Sequence, residues 1–290
     1  MVATVASGPG SAAGGRIGKY EVVKPLAAGD SARVLLCRDG GRDVAVKVFA
    51  VSSPRLLALM RDGGSEVADR LRRRFVAEAK LADRFRHPGI VAILEVAELG
   101  DGTPYFAMPY LPEGLADALR KKTPGWVPGA PLPPETPRPL PLDRAVAVLR
   151  QLLGALAEVH RAGVVHRDIK PDNVRFDAAG AAVLCDFSVA RTPWGGFTPI
   201  RPRFGAPPFV SPEQAANSAD VDPRSDLYSV GVLGYLMLTG RFPGRAGPAP
   251  RRADPRISEP VSAAVMQAIE AERDRRPADA AAMLALLGAA

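Results

Sequence analysis

"HRDIKPDN", from His166 to Asn173, is the stretch whose reading decides the fold of this chain. Before it lies "LDRAVAVLRQLLGALAEVHRAG", Leu142 to Gly163, whose apolar spacing predicts a long helix. Asp143 near its start suits the helix dipole, and Gly163 suits its end. A short strand is expected directly after the octet. Further on, "LCDFSVAR", Leu184 to Arg191, places Asp186 behind an apolar run. Asp168 or Asn173 alone reads as an ordinary turn residue, but that reading does not cover the whole string.

Bulk composition narrows the classes. The chain has 290 residues, 47% of them hydrophobic and 24% charged, ordinary values for a soluble globular protein with real cores. Its net charge of +7 comes mainly from dispersed arginines, densest at Arg70, Arg72, Arg73 and Arg74. No aromatic residues interleave with these charges, so they read as a solvated helix face and no nucleic-acid partner is expected. Cys37 and Cys185 have no metal spacing and fit a reducing compartment. The opening residues 1–15 lack the basic and apolar regions of a signal peptide and read as a disordered Gly/Ala/Ser tail. The longest apolar run, "LYSVGVLGYLMLTG", is too short to span a bilayer. A cytoplasmic location without a membrane segment is expected.

Two regions follow from the periodicities. From Tyr20 to Pro109 the pattern is mostly strands: "YEVVKPL", "RVLLCR", "DVAVKVF", "IVAILEVAEL" and "PYFAMPY". One helix interrupts them, roughly Val67 to Phe85, with Leu71, Phe75, Ala79 and Ala82 on one face. After Tyr110 the chain reads as helical. "SDLYSVGVLGYLML" is apolar all round and must be buried. "EPVSAAVMQAIEAE" and "PADAAAMLALL" predict two more helices, the second with Pro277 in its first turn. Between 123 and 141 lies an extended Pro-rich insertion. A small β-rich lobe followed by a larger helical one suggests a cleft.

Taken together, the octet and "LCDFSVAR" resemble the catalytic and metal-binding loops of eukaryotic-like serine/threonine protein kinases of the bacterial kind. The resemblance covers about residues 16–290. It implies an α+β bilobal fold: a small antiparallel β-sheet lobe with one helix (about 16–111) and a larger, mainly α-helical lobe (about 112–290). It further implies ATP and Mg²⁺ as cofactors and protein hydroxyls as substrates.

Such a reaction needs charge neutralisation and positioning more than covalent help. By resemblance, Asp168 accepts the substrate hydroxyl proton and Lys170 sits against the γ-phosphate. Asn173 and Asp186 supply hard oxygen ligands to Mg²⁺. Lys47 in "VAVKVF" matches the phosphate-binding lysine, although a lone lysine on a strand is ordinarily a solvated edge residue. Glu78 matches its helix partner, with Asp83 and Glu66 as rivals. The stretch between Lys47 and Glu78 is longer than usual, so a small insertion precedes the helix. Leu26, Gly29, Val34, Ala45, Pro109 and Leu111 complete the nucleotide site. Adenine takes the Pro109 carbonyl and the Leu111 N–H, and Met108 is the gatekeeper. His166, Phe187 and Ala82 join the apolar stack between the lobes. Asp226 holds the catalytic-loop backbone, and Glu213 pairs with Arg276.

This chain also departs from the family pattern. Glycines are replaced by Ala27 and Ala32 in the nucleotide loop, and Ser188 replaces the glycine after Phe187. Arg175 stands where the family puts an apolar residue under the adenine; its stem would lie beneath the ring with its head outward. Ala206 replaces a threonine. The connection between Gly240 and Arg276 is short by about one helix and looks open. Lys170 marks Ser/Thr preference. Arg167 points to control by phosphorylation of the segment 186–213, with Thr192 and Thr198 as acceptors. Two readings stand: an active kinase, or a pseudokinase that binds nucleotide or serves as a scaffold. A small-molecule kinase fits the "SPEQ" segment and Arg276 less well.

Overall fold

A computed structural model of the protein describes residues 15–62, 64–120, 138–192, 195–196, 208–216, 220–244 and 247–288. The expected tail up to residue 14, most of the Pro-rich insertion, Thr198 and Ala206 lie outside the described residues. The chain divides into two units, one of residues up to 86 plus 91–110, the other of 87–90 plus 111–290.

The first unit is built on a six-stranded antiparallel sheet. Its strands are β1 (Arg16–Ile17), β2 (Tyr20–Ala28), β3 (Ala32–Asp39), β4 (Arg42–Phe49), β5 (Glu95–Glu98) and β6 (Pro104–Pro109), in the order β1-β2-β3-β4-β6-β5. Alternation in β4 explains its place. Val44, Val46 and Val48 share one face and pack with Tyr20, Leu35, Cys37 and Tyr105, so Lys47 projects from the other. Within this sheet, the predicted run 90–99 pairs over Glu95–Glu98 alone, at the edge.

Two helices are present here where the sequence pattern predicts one. α1 (Pro54–Asp62) is the insertion anticipated before the helix, and α2 (Gly64–Ala82) carries Glu78. Leu71, Phe75, Ala79 and Ala82 are all buried along α2. Phe75 meets Phe49 and Phe106 at ring distances of 5.8 and 5.1 Å.

In the second unit a small sheet of β7 (Glu113–Gly114), β8 (Val174–Phe176) and β9 (Ala182–Leu184) lies beside α3 (Leu115–Arg120) and α4 (Leu142–Arg161). The segment 87–90 joins it: the Leu184 N–H donates to the Gly89 carbonyl at 2.8 Å, and Ile90 bridges Leu184. Two short strands, β10 (Arg191–Thr192) and β11 (Gly195–Gly196), pair next, followed by α5 (Pro212–Ala216).

α6 (Pro223–Thr239) is the central helix, and Leu227, Val230, Leu233 and Leu236 are fully buried, as its all-round apolar pattern requires. The Asp222 side chain caps its start by accepting the Arg224 N–H, and Gly240 ends it at φ +70°. The connection expected to be open after Gly240 contains one helical turn, α7 (Pro250–Ala253), fastened by Arg251 donating to the Ile257 carbonyl at 2.7 Å. α8 (Glu259–Ala268) packs on α6, and α9 (Ala280–Leu286) on α4. Pro277 is not in the first turn of α9. The Asp279 carboxylate accepts the Ala282 N–H and starts the helix at Ala280, a stronger signal than a proline that merely permits one. No helix among the described residues is long and apolar enough to cross a membrane.

Candidate active site

Within the second unit, the octet forms a loop closed by its own polar groups. Lys170 Nζ lies 2.7 Å from Asp168 Oδ2, and Asn173 Nδ2 donates to that same oxygen and to the Asp168 carbonyl, each at 2.8 Å. Both side-chain contacts fall on Oδ2; among the described residues Oδ1 accepts no hydrogen bond. With its nitrogen committed to Asp168, Asn173 keeps its side-chain oxygen as the atom able to meet a cation.

The loop backbone is fixed from below by Asp226, at the start of α6. Its two oxygens accept the N–H groups of His166 (2.8 Å) and Arg167 (2.7 Å), and His160 Nε2 lies 2.9 Å from Oδ2. Burial pushes the Asp226 carboxyl up, but the His160 hydrogen bond and the Arg167 N–H outweigh it and hold the pKa below the usual carboxylate range. Burial lowers the His166 pKa, and the ring stacks edge-on against Phe187 at 4.8 Å. Arg167 sits at φ +70° and Asp186 at φ +65°, the two described non-glycine residues in that region. The Gln214 side chain, on α5, donates to the Arg167 carbonyl at 2.9 Å.

Ser188 does not share this strain. Its φ is not positive, and its N–H donates to Asp186 Oδ1 at 3.2 Å. Replacing glycine here therefore leaves the local backbone in an ordinary region. Ala27 and Ala32 likewise avoid positive φ.

In the first unit, Lys47 Nζ meets Glu78 Oε1 at 2.5 Å, with side chains 12% and 7% exposed, and lies 5.7 Å from the Phe106 ring centre. Of the rival carboxylates, Asp83 faces Arg86 at 3.2 Å instead. Val34 and Ala45 flank Lys47 on the sheet, through the pairings Val34↔Lys47 and Ala45↔Met108. Leu26 is exposed near the end of β2, and the Gly29 N–H closes the β2–β3 turn onto the Ala32 carbonyl at 2.8 Å. That turn is tied down: Ala50 donates to the Ser31 carbonyl, Ser52 and Ser53 donate to the Asp30 carbonyl, and the Ser52 hydroxyl donates to the Gly29 carbonyl. Pro109 ends β6 in the first unit, and Leu111 begins the long stretch, 111–290, of the second.

Elsewhere in the second unit, Arg276 grips Glu213 with both oxygens engaged, at 2.8 and 2.9 Å, while the Ser225 hydroxyl donates to the same carboxylate at 2.6 Å. These partners outweigh burial and lower the Glu213 pKa to about 2. The sequence did not point to the Gln214 contact, to buried Arg120 lying 3.8 Å from Asp172, or to the partners of Arg175.

An antiparallel sheet carrying a Lys–Glu pair, and a helical unit carrying an Asp–Lys–Asn loop pinned by a buried aspartate, define a protein kinase. The chain belongs to that family: the protein kinase domain model matches residues 20–282. Among curated relatives, serine/threonine-protein kinase pkn2 of Myxococcus xanthus is 34% identical over 300 residues, covering 94% of this chain and 32% of pkn2. The DNA damage-responsive serine/threonine-protein kinase RqkA of Deinococcus radiodurans is 31% identical, covering 92% of this chain and 38% of RqkA. PknL of Mycobacterium tuberculosis is 34% identical, covering 74% and 53%. The chain thus spans about a third to a half of these relatives. The crystal structure of the Mycobacterium tuberculosis PknI kinase domain matches with a TM-score of 0.62 at 25% identity, over 96% of this chain and 99% of that one. The expected resemblance to bacterial eukaryotic-like serine/threonine kinases, and the kinase fold, therefore stand.

Proposed function

We propose that this chain is an active ATP-dependent serine/threonine protein kinase that phosphorylates protein hydroxyls and also itself. One observation carries the reading: Asp168 is held through Oδ2 alone, by Lys170 and Asn173, with Oδ1 left to take the proton of an incoming hydroxyl. Lys170 beside it supplies a positive charge for the transferred phosphoryl group. Lys47, oriented by Glu78, is the phosphate-binding lysine. Asn173 and Asp186 offer the hard oxygen donors that suit Mg²⁺, which when bound would neutralise phosphate charge. Leu26, Gly29, Val34, Ala45, Pro109 and Leu111 serve the nucleotide. Dependence on ATP puts the reaction in the cytoplasm.

The test is phosphate transfer from labelled ATP by purified protein, with Mg²⁺, compared with Asp168→Asn and Lys47→Met. Wild type should label itself on serine or threonine, and each substitution should remove the label. Equal background incorporation by all three proteins would sink the enzyme reading and leave the pseudokinase one.

A further inference from the structure

Arg175 commits its guanidinium to one short piece of backbone. Nε and Nη2 both donate to the Leu111 carbonyl, at 3.0 and 2.6 Å, and Nη2 also donates to the Pro112 carbonyl at 2.8 Å. Nη1 lies 3.5 Å from Asp117 Oδ2, and that oxygen accepts the Gly114 N–H at 3.0 Å. Gly114 stands opposite Arg175 in the β7–β8 register, and a Cβ there would come within 2.7 Å of Nη1. The arm therefore crosses the strand where glycine leaves it room. A carbonyl oxygen has two lone pairs, and at Leu111 one side chain takes both.

Leu111 precedes Pro112, which restricts it to extended backbone, and in extended backbone the N–H and C=O of one residue point to the same side. The Leu111 N–H is the group assigned above to adenine. The Leu111 carbonyl would then face purine position 2, next to the ring nitrogen that takes that N–H. We infer that Arg175 sets base specificity by withdrawing the Leu111 carbonyl, favouring purines with hydrogen at C2 over those with an amino donor there. This rests on the ATP reading. A 2-amino group would lose its water at this edge and find the acceptor already saturated by guanidinium donors. Once the arm is removed, the same carbonyl accepts it.

The experiment is equilibrium binding of ATP and of 2-amino-ATP, each with Mg²⁺, to wild type, Arg175→Met and Arg175→Leu. Both variants keep an apolar side chain at this position and carry no donors. Wild type should bind ATP at least as tightly as 2-amino-ATP. In both variants the ratio should move toward 2-amino-ATP by about tenfold, the change expected when a hydrogen bond is gained instead of a donor stranded. A purely structural role would weaken both nucleotides together and leave the ratio fixed, which overturns the inference. So would a wild type that already prefers 2-amino-ATP several-fold, a result that needs no folded variant. If wild type binds neither nucleotide, the ATP reading has failed and this inference falls with it. ATP binding with an unmoved ratio condemns this inference alone.

Discussion

Arg167 holds a φ of +70°, and Asp226 holds Arg167: the Asp226 Oδ1 accepts the Arg167 N–H at 2.7 Å while Oδ2 takes the neighbouring N–H of His166 at 2.8 Å. A left-handed conformation costs a non-glycine residue roughly 1–2 kcal/mol, so the loop keeps it only where other contacts insist. Asp226→Asn turns one acceptor into a donor facing an N–H. The expected result is a kcat at least about 100-fold lower with the KM for ATP within a few-fold, since two oriented peptides are lost under the reacting carboxylate. Unfolding should also become easier by about 3 kcal/mol, the cost of disrupting a buried charged network. Steady-state kinetics and urea titration check both.

The Glu213–Arg276 pair gives stability an acid limb. The Glu213 carboxyl falls from the ordinary 4.5 to about 2 in the folded protein. A depressed carboxylate pKa contributes stability that is complete above the unfolded value and is lost as pH falls through the folded one. The contribution, about 3 kcal/mol by the linkage relation, should therefore disappear between pH 4.5 and 2. In Glu213→Gln, stability measured by denaturant titration across that window should lose this share of its pH slope.

Ser188→Gly should change kcat by less than about tenfold, an effect of at most about 1.4 kcal/mol. The serine occupies an ordinary backbone region and keeps its N–H on Asp186, so glycine gains no geometry that serine lacks. Glycine does widen the accessible φ range. Relaxation dispersion should therefore report faster exchange around Phe187. A several-hundredfold rise in kcat would mean that Ser188 was holding the wild type off.

Gly231 on α6 faces the C-terminal end of α8 with no room for a side chain. A Cβ there would stand 2.7 Å from the Ala268 Cβ and 2.8 Å from Ile269 Cγ2. Gly231→Ala should cost about 1–3 kcal/mol through overpacking, read as a lower denaturation midpoint with an unchanged m-value.

Much of this was legible because it is written in short-range pattern. The all-round apolar run predicted α6, and the i, i+4 face of Leu71, Phe75 and Ala79 predicted α2. Glu78 was singled out over Asp83 and Glu66 by the family resemblance and not by the pattern itself, and the structure puts it on Lys47. What stayed hidden depends on distant partners. The extra helix α1 looked like a bare insertion because its short amphipathic pattern gains stability only against α2. The start of α9 was assigned to Pro277, whereas the Asp279 cap decides it. Arg175 was read with its head turned outward, and no local pattern announces that two backbone carbonyls wait for it.

The four residues His87–Ile90 belong to the second unit although the chain has yet to build β5 and β6 when it passes them. That unit is therefore discontinuous in sequence and cannot be excised as a single length of chain. A fragment beginning at Leu111 would arrive without Ile90, which is 4% exposed, and without the Gly89 carbonyl that pairs the Leu184 N–H. It would leave an unsatisfied donor and an apolar hole beside the strand that leads into Asp186. Trimming, shuffling or recombining this chain thus has to treat a tetrapeptide from the far side of β5 and β6 as inseparable from everything after residue 110.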